Sequence, residues 1–220
     1  MAKKMKSSSK PHPKAHFSKK EAVHFGFEKA KKNIVFFIGV FVIVVAVSAV
    51  SGLIQMSFTL ENQPVTYIIL NIFTFILNSI IGMGVIKITL EILDKKKAKF
   101  SDLFYTKPIV NFILGSLIRG VITVIGFVLL IIPGIIFSIR LQYVTYLIVD
   151  KNMSAVDAIY KSWSMTKGNS WNLFFFGILL FLINVLGALL LLVGLFVTVP
   201  LTMLATTHVY RKLLLHSKSA

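Results

Sequence analysis

From residue 33 to residue 210 the chain is a succession of long apolar runs separated by short charged or Pro/Gly-containing breaks. A helix needs about 20 apolar residues to cross a hydrocarbon core about 30 Å thick. Inside lipid the backbone must satisfy its own hydrogen bonds, so such runs fold as helices unless they close into a barrel. Cutting at the breaks gives six spans, at residues 33–56, 65–93, 108–132, 135–149, 171–191 and 196–210. The fourth is short, and a re-entrant or membrane-thinning segment competes with a full crossing there. A helix would cross Pro133 and Gly134 only with a kink, so the pair is read as a tight hairpin turn. The hydrophobic share of 56% and mean hydropathy of +0.82 exceed what a soluble core of 220 residues needs. The expected fold class is all-α: a polytopic transmembrane bundle of about six spans with amphipathic interfacial helices on its cytoplasmic side.

Charge sets the orientation. Residues 1–32 carry ten Lys and Arg, residues 94–107 five, residues 150–169 three and the tail three, whereas the breaks at 57–64, 133–134 and 194–200 carry none. Under the positive-inside rule both termini are cytoplasmic and the opposite loops minimal. The net charge of +16 is therefore assigned to topology and to anionic lipid rather than to nucleic acid. The expected organisation is a disordered basic tail over 1–17, an amphipathic interfacial helix over 18–32, a membrane domain over 33–212 that includes a second interfacial helix over 154–167, and a basic tail over 213–220.

Those two surface segments match each other. Residues 18–33 read SKKEAVHFGFEKAKKN and residues 154–169 read SAVDAIYKSWSMTKGN, with Ser, Ala, Lys and Asn identical and Glu21/Asp157, Val23/Ile159 and Phe27/Trp163 similar. Both open with a Ser and an acid three residues on, the capping-box signature of a helix start. In the second copy Val156, Ile159, Tyr160 and Trp163 fall on one stripe, expected to rest in the membrane interface. The match predicts a repeated unit of surface helix plus hairpin, related by an axis along the membrane normal, with Ser101-Asp102-Leu103-Phe104 opening a degenerate third copy.

The stretch from Leu130 to Lys212 carries Ile132-Pro133-Gly134-Ile135, Arg140, Lys161-Ser162-Trp163, Thr166-Lys167-Gly168-Asn169, Val193-Gly194-Leu195 and Tyr210-Arg211. In these motifs it resembles a broad group of six-span prokaryotic membrane proteins that includes the membrane domain fused to some glycerophosphodiester phosphodiesterases. The resemblance implies a multi-pass protein of a prokaryotic cytoplasmic membrane. The hydrolase domain of those fusions is absent from this sequence.

Within the chain the search for chemistry yields little. Without Cys there is no disulfide, thiolate or thiolate-bound metal. Of the five His only His208 lies on a span, as an expected structural residue, and the acid Glu91 sits four residues from Lys87 as an expected ion pair. No catalytic, metal or cofactor constellation is expected. Arg119 is the exception. Counted from Lys107 it lies roughly 18 Å into the hydrocarbon, where an arginine costs about 2.5–3.5 kcal/mol. Asn78, Asn184 and Thr206 are expected near the same midplane and Tyr146 close to the depth of Arg119, forming an interhelical polar cluster. Two function classes follow: a non-enzymatic membrane protein that binds or organises lipid or partner proteins, or a small transporter or channel subunit built around Arg119. Anionic lipid is the expected partner, together with a second copy of the chain or another membrane protein.

Overall fold

The computed structural model describes residues 17–58, 61–190 and 193–217; the basic tail, apart from Phe17, and the last three residues lie outside them. Among the described residues the fold is an all-α bundle without strands. It divides into three consecutive units, each a short helical segment followed by a hairpin. The first holds α1 (Lys19–Lys32), α2 (Ile34–Ser57) and α3 (Pro64–Leu93). The second opens with a short 3-10 turn (Phe100–Phe104) and continues as α4 (Ile109–Leu129), α5 (Ile131–Leu141) and α6 (Val144–Lys151). The third holds α7 (Ala155–Met165), α8 (Ser170–Leu189) and α9 (Leu195–His216).

Five stretches are long and apolar enough to cross a membrane: α2, α3, α4, α5 with α6, and α8. The sixth expected span, now α9, is not among them, and its surroundings explain why. Leu204, Ala205, Thr207, Val209 and Tyr210 of α9 are wholly buried in protein. A helix sheathed by other helices tolerates polar side chains that lipid would penalise.

The sequence match between α1 and α7 extends to atomic detail. Ser18 and Ser154 cap the two helices, accepting from the amides of Glu21 (3.3 Å) and Asp157 (3.1 Å). The Asn33 amide donates to the Ala30 carbonyl (3.1 Å) as Asn169 does to Thr166 (3.0 Å), and Phe37 to Asn33 (3.0 Å) as Leu173 to Asn169 (2.9 Å). The buried positions correspond as well: Ala22, Gly26, Ala30, Phe37 and Val40 in the first unit match Ala158, Ser162, Thr166, Leu173 and Phe176 in the third. Small residues one helical turn apart bring helix axes close, and a side chain at Gly26 would strike the Leu201 carbonyl and Ala205 of α9.

The short segments close the ring of units. The 3-10 turn packs Leu103 against Gly84 of α3, α7 packs on α6, and α1 packs on α9. Each short helix thus covers the last helix of the preceding unit, and the first covers the last helix of the chain. The helices α3, α6 and α9 form the interior: Thr207 donates to Thr89 (3.0 Å), and the rings of Tyr143, Tyr146 and Tyr210 meet at 5.4–5.9 Å.

Three expectations need correction. The Pro133-Gly134 pair is not the turn. The chain breaks at Leu130, extended at φ −164°, and Pro133 sits in the first turn of α5, where a backbone N–H would have no intrahelical partner to lose. Gly134 has a packing task instead: a Cβ on Gly126 would lie 2.9 Å from the Gly134 Cα, so the glycines let α4 and α5 touch. Nor do the four large apolar residues of α7 share one facing. Trp163 and Ile159 pack against the core, with the Trp163 ring 5.7 Å from Phe137 and 4.4 Å from the Arg140 guanidinium, while Val156 and Tyr160 are exposed. Arg140 is held by α7, whose Ser162 hydroxyl donates to the Arg140 carbonyl at 2.7 Å. Finally, Phe17, placed with the tail by its sequence, is buried edge-on against Phe176, and its carbonyl accepts from Asn172 at 3.2 Å.

Candidate functional site

On α4 the protein-facing positions Phe112, Gly115, Ile122 and Gly126 recur at alternating spacings of three and four. Arg119 completes that stripe, so it points toward α5 and α8 instead of reaching along its own helix to a headgroup. It lines a groove of about 440 Å³ with Ser138, Gln142, Leu173, Phe174 and Ile178. A side chain at Gly177 on the same wall would meet nothing within 4 Å, so the groove is open there. Among the described ion pairs no carboxylate faces Arg119. The Gln142 side-chain amide is buried with no hydrogen-bond acceptor, while Ser138 spends its proton on the Gly134 carbonyl (2.9 Å). A guanidinium and an unpaired amide therefore converge where only acceptors are missing.

A second cavity of about 390 Å³ adjoins the first, the two sharing Ile139 and Phe174. Its walls are Ile132, Ile135, Ile136 and Trp171, and at its rim the Arg140 Nε and Ser170 hydroxyl are buried without partners. The combined trough is mainly apolar and carries a basic group in each of its two parts. An acyl chain matches the first feature and a phosphate oxygen the second.

The expected midplane cluster is dispersed. Asn184 donates to Thr202 (3.2 Å) across α8 and α9, and Thr206 donates to the Thr202 carbonyl (2.8 Å) on its own helix. Asn78 donates to the Thr74 carbonyl (2.8 Å) and lines a separate cavity of about 330 Å³ with Thr89 and Tyr146. Of the other four residues Tyr146 comes near Arg119, its hydroxyl lying beside Thr207 and within electrostatic reach of the guanidinium. Depth counted along each span does not predict which face a side chain takes, and three helix pairs divide the set.

Two polar groupings had no part in the sequence reading. Arg211 joins the ends of the three interior helices, with Nη1 2.7 Å from the Asp150 carboxylate and Nη2 2.6 Å from Asp94, while the Tyr210 hydroxyl also donates to Asp150 at 2.9 Å. Their sequence signal was a charged residue at the end of each interior helix, acidic on α3 and α6 and basic on α9. Elsewhere α1 is tied to α9 through Glu21, which accepts from Lys212 at 2.6 Å and lies 3.7 Å from His208; the Lys212 ammonium holds the Glu21 carboxyl below its ordinary range. His208 stacks on Phe25 with ring centroids 4.4 Å apart, and Lys87 pairs with Glu91 at 2.9 Å.

No family model matches the chain, and no solved structure does. The chain is similar to an uncharacterised protein of Mycobacterium tuberculosis, with 26% identity over 130 residues. It is equally similar to an uncharacterised protein of Mycobacterium bovis, again with 26% identity over 130 residues. The aligned part is 59% of this chain, and it spans about 40% of the length of each of these relatives.

Proposed function

We propose that the chain is a multi-pass protein of a prokaryotic cytoplasmic membrane, with both ends on the cytoplasmic side, that binds an anionic lipid in the trough between α4, α5 and α8 and performs no catalysis itself. The observation that carries this reading is Arg119: a guanidinium on a protein-facing stripe, without a carboxylate partner, opening into a groove walled by apolar side chains. An uncompensated arginine inside hydrocarbon is costly, and a lipid phosphate offers the compensation that the protein omits. The positive-inside charge pattern and the resemblance to six-span prokaryotic membrane proteins support the placement in the membrane. A transporter or channel role has less support, because the polar residues that would line a solute path are divided among separate helix pairs.

The test is thermal stability in detergent for the parent, Arg119→Leu and Arg119→Lys, with phosphatidylglycerol or phosphatidylcholine added. The parent is expected to be stabilised selectively by phosphatidylglycerol. Arg119→Leu loses that selectivity, and Arg119→Lys keeps part of it because an ammonium lacks the planar fork. An equal phosphatidylglycerol shift in all three proteins contradicts the assignment.

A further inference from the structure

We infer that only the α2–α3 hairpin reaches water on the far side of the membrane, and that the tips of the α4–α5 and α8–α9 hairpins end among the acyl chains of the far leaflet. The inference rests on membrane insertion but not on any role for Arg119.

The ionic contacts of Arg211 supply a ruler. Because Arg211 binds both Asp94 and Asp150, the ends of α3, α6 and α9 share one level. From there α3 runs 30 residues back to its hairpin tip, about 45 Å at 1.5 Å per residue. The stretch Ile131–Lys151 has 21 residues, about 30 Å when straight. From Arg211 back to Leu195, the start of α9, is about 25 Å. A cluster of one arginine and two aspartates belongs in the headgroup region or in water. Starting outside a core about 30 Å thick, the first hairpin crosses with length to spare, whereas the other two stop short of the far water.

The composition of the tips agrees with their reach. The first hairpin turns through Glu61, Asn62 and Gln63. The second has no polar side chain from Val124 to Phe137, and the third none from Val185 to Val197. Val128, Leu129, Leu130, Ile131 and Ile132 are 66–81% exposed at the second tip, as is Val193 at 67% on the third. Such a cluster facing water would be an adhesive patch, while against lipid it is the expected surface.

Backbone accounting also allows it. Turns are excluded from hydrocarbon when their amides and carbonyls lack partners. At the second tip the Leu130 amide donates to Gly126 (3.1 Å), the Gly134 amide donates to Leu130 (3.3 Å), and Pro133 has no amide proton to satisfy. At the third the Leu190 amide donates to Leu186 (3.3 Å) and Gly194 to Leu190 (3.4 Å). These bonds pair part of the described backbone at both tips. The occupant of the space around them is therefore lipid acyl chain, displaced downward from the far leaflet by two embedded hairpin ends.

The chain has no Cys, so single thiols can be introduced by Glu61→Cys, Lys97→Cys, Leu130→Cys and Val193→Cys in the full chain and reconstituted in phosphatidylglycerol/phosphatidylcholine vesicles. An impermeant maleimide should reach positions 61 and 97 from opposite sides and positions 130 and 193 from neither until the membrane is dissolved. A fluorophore at 130 or 193 should be quenched by brominated acyl chains and not by aqueous iodide. In the unsubstituted protein a lipid-borne carbene should insert into residues 127–133, and hydroxyl radicals in water should not modify them. Labelling at 130 or 193 as fast as at 61 from the same side overturns the inference, as does hydroxyl-radical modification of residues 127–133. Loss of phosphatidylglycerol selectivity at Arg119 is read in a separate experiment, so either idea can fail without the other.

Discussion

Replacing Arg211 by Met keeps the length of apolar stem but removes the cation that joins α3, α6 and α9. The two ion pairs lost are unequal. The Asp150 side chain is only 9% exposed, so after the substitution a nearly buried carboxylate keeps Tyr210 and Lys151 (3.1 Å) as its partners. Breaking a buried pair by removing one member costs about 3–5 kcal/mol, and the surviving partners place Arg211→Met at about 3 kcal/mol. Asp94 is 39% exposed, and a pair of that kind is worth roughly 0–1 kcal/mol. For a protein of 150–250 residues each kcal/mol moves the melting temperature by about 2–4 °C. Arg211→Met should therefore lower the Tm in detergent by about 6–12 °C, and Asp94→Asn by about 4 °C at most. The assay is thermal unfolding followed by the fluorescence of Trp163 and Trp171 for the parent and both variants. Equal shifts for the two variants refute the assignment of Arg211 as the hub of the interior helices.

A bulky residue at Gly26 cannot approach the Leu201 carbonyl, so Gly26→Val should release α1 from α9, seen as faster proteolysis at residues 19–32 with the remainder of the bundle still protected. The Glu21 carboxyl is held below its ordinary range by Lys212, and a group depressed in the folded state stabilises above its unfolded pKa and loses that contribution as pH falls through the folded value. The protection factors of the α1 amides against hydrogen exchange should accordingly fall on acidification below the ordinary carboxylate range, and Glu21→Gln should flatten that dependence. Arg140→Met removes the cation over Trp163 and loosens α7 from α5, so Trp163 should become more accessible to an aqueous quencher while the Trp171 signal stays unchanged.

Much of the architecture was legible because lipid imposes simple rules on sequence. Predominantly apolar runs of about 20 or more residues marked α2, α3, α4 and α8 to within a few residues of their ends. The Ser-x-x-acid starts marked α1 and α7, and the structure buries the positions that their alignment pairs. The facing of α7 was harder to foresee, because its large residues suggested a lipid stripe while the small ones, Ala155, Ala158 and Ser162, make the protein contact. Close packing in a membrane selects for small side chains, and a hydrophobicity pattern cannot register that. Pro133 misled for a related reason: proline is a strong breaker in the interior of a helix and harmless in its first turn. Arg119 stood out by cost alone, but its neighbours Gln142 and Ser138 belong to another helix, and no spacing rule within α4 reaches them.

The central claim is that Arg119 holds the phosphate of an anionic lipid, and native mass spectrometry measures that most directly. Parent, Arg119→Leu and Arg119→Lys proteins, stripped of lipid in detergent and titrated with phosphatidylglycerol, should differ in the first lipid retained. The account predicts one tightly held phosphatidylglycerol on the parent, none at the same concentration on Arg119→Leu, and reduced occupancy on Arg119→Lys, with phosphatidylcholine binding weakly and alike to all three. Equal retention of phosphatidylglycerol by the parent and Arg119→Leu contradicts it.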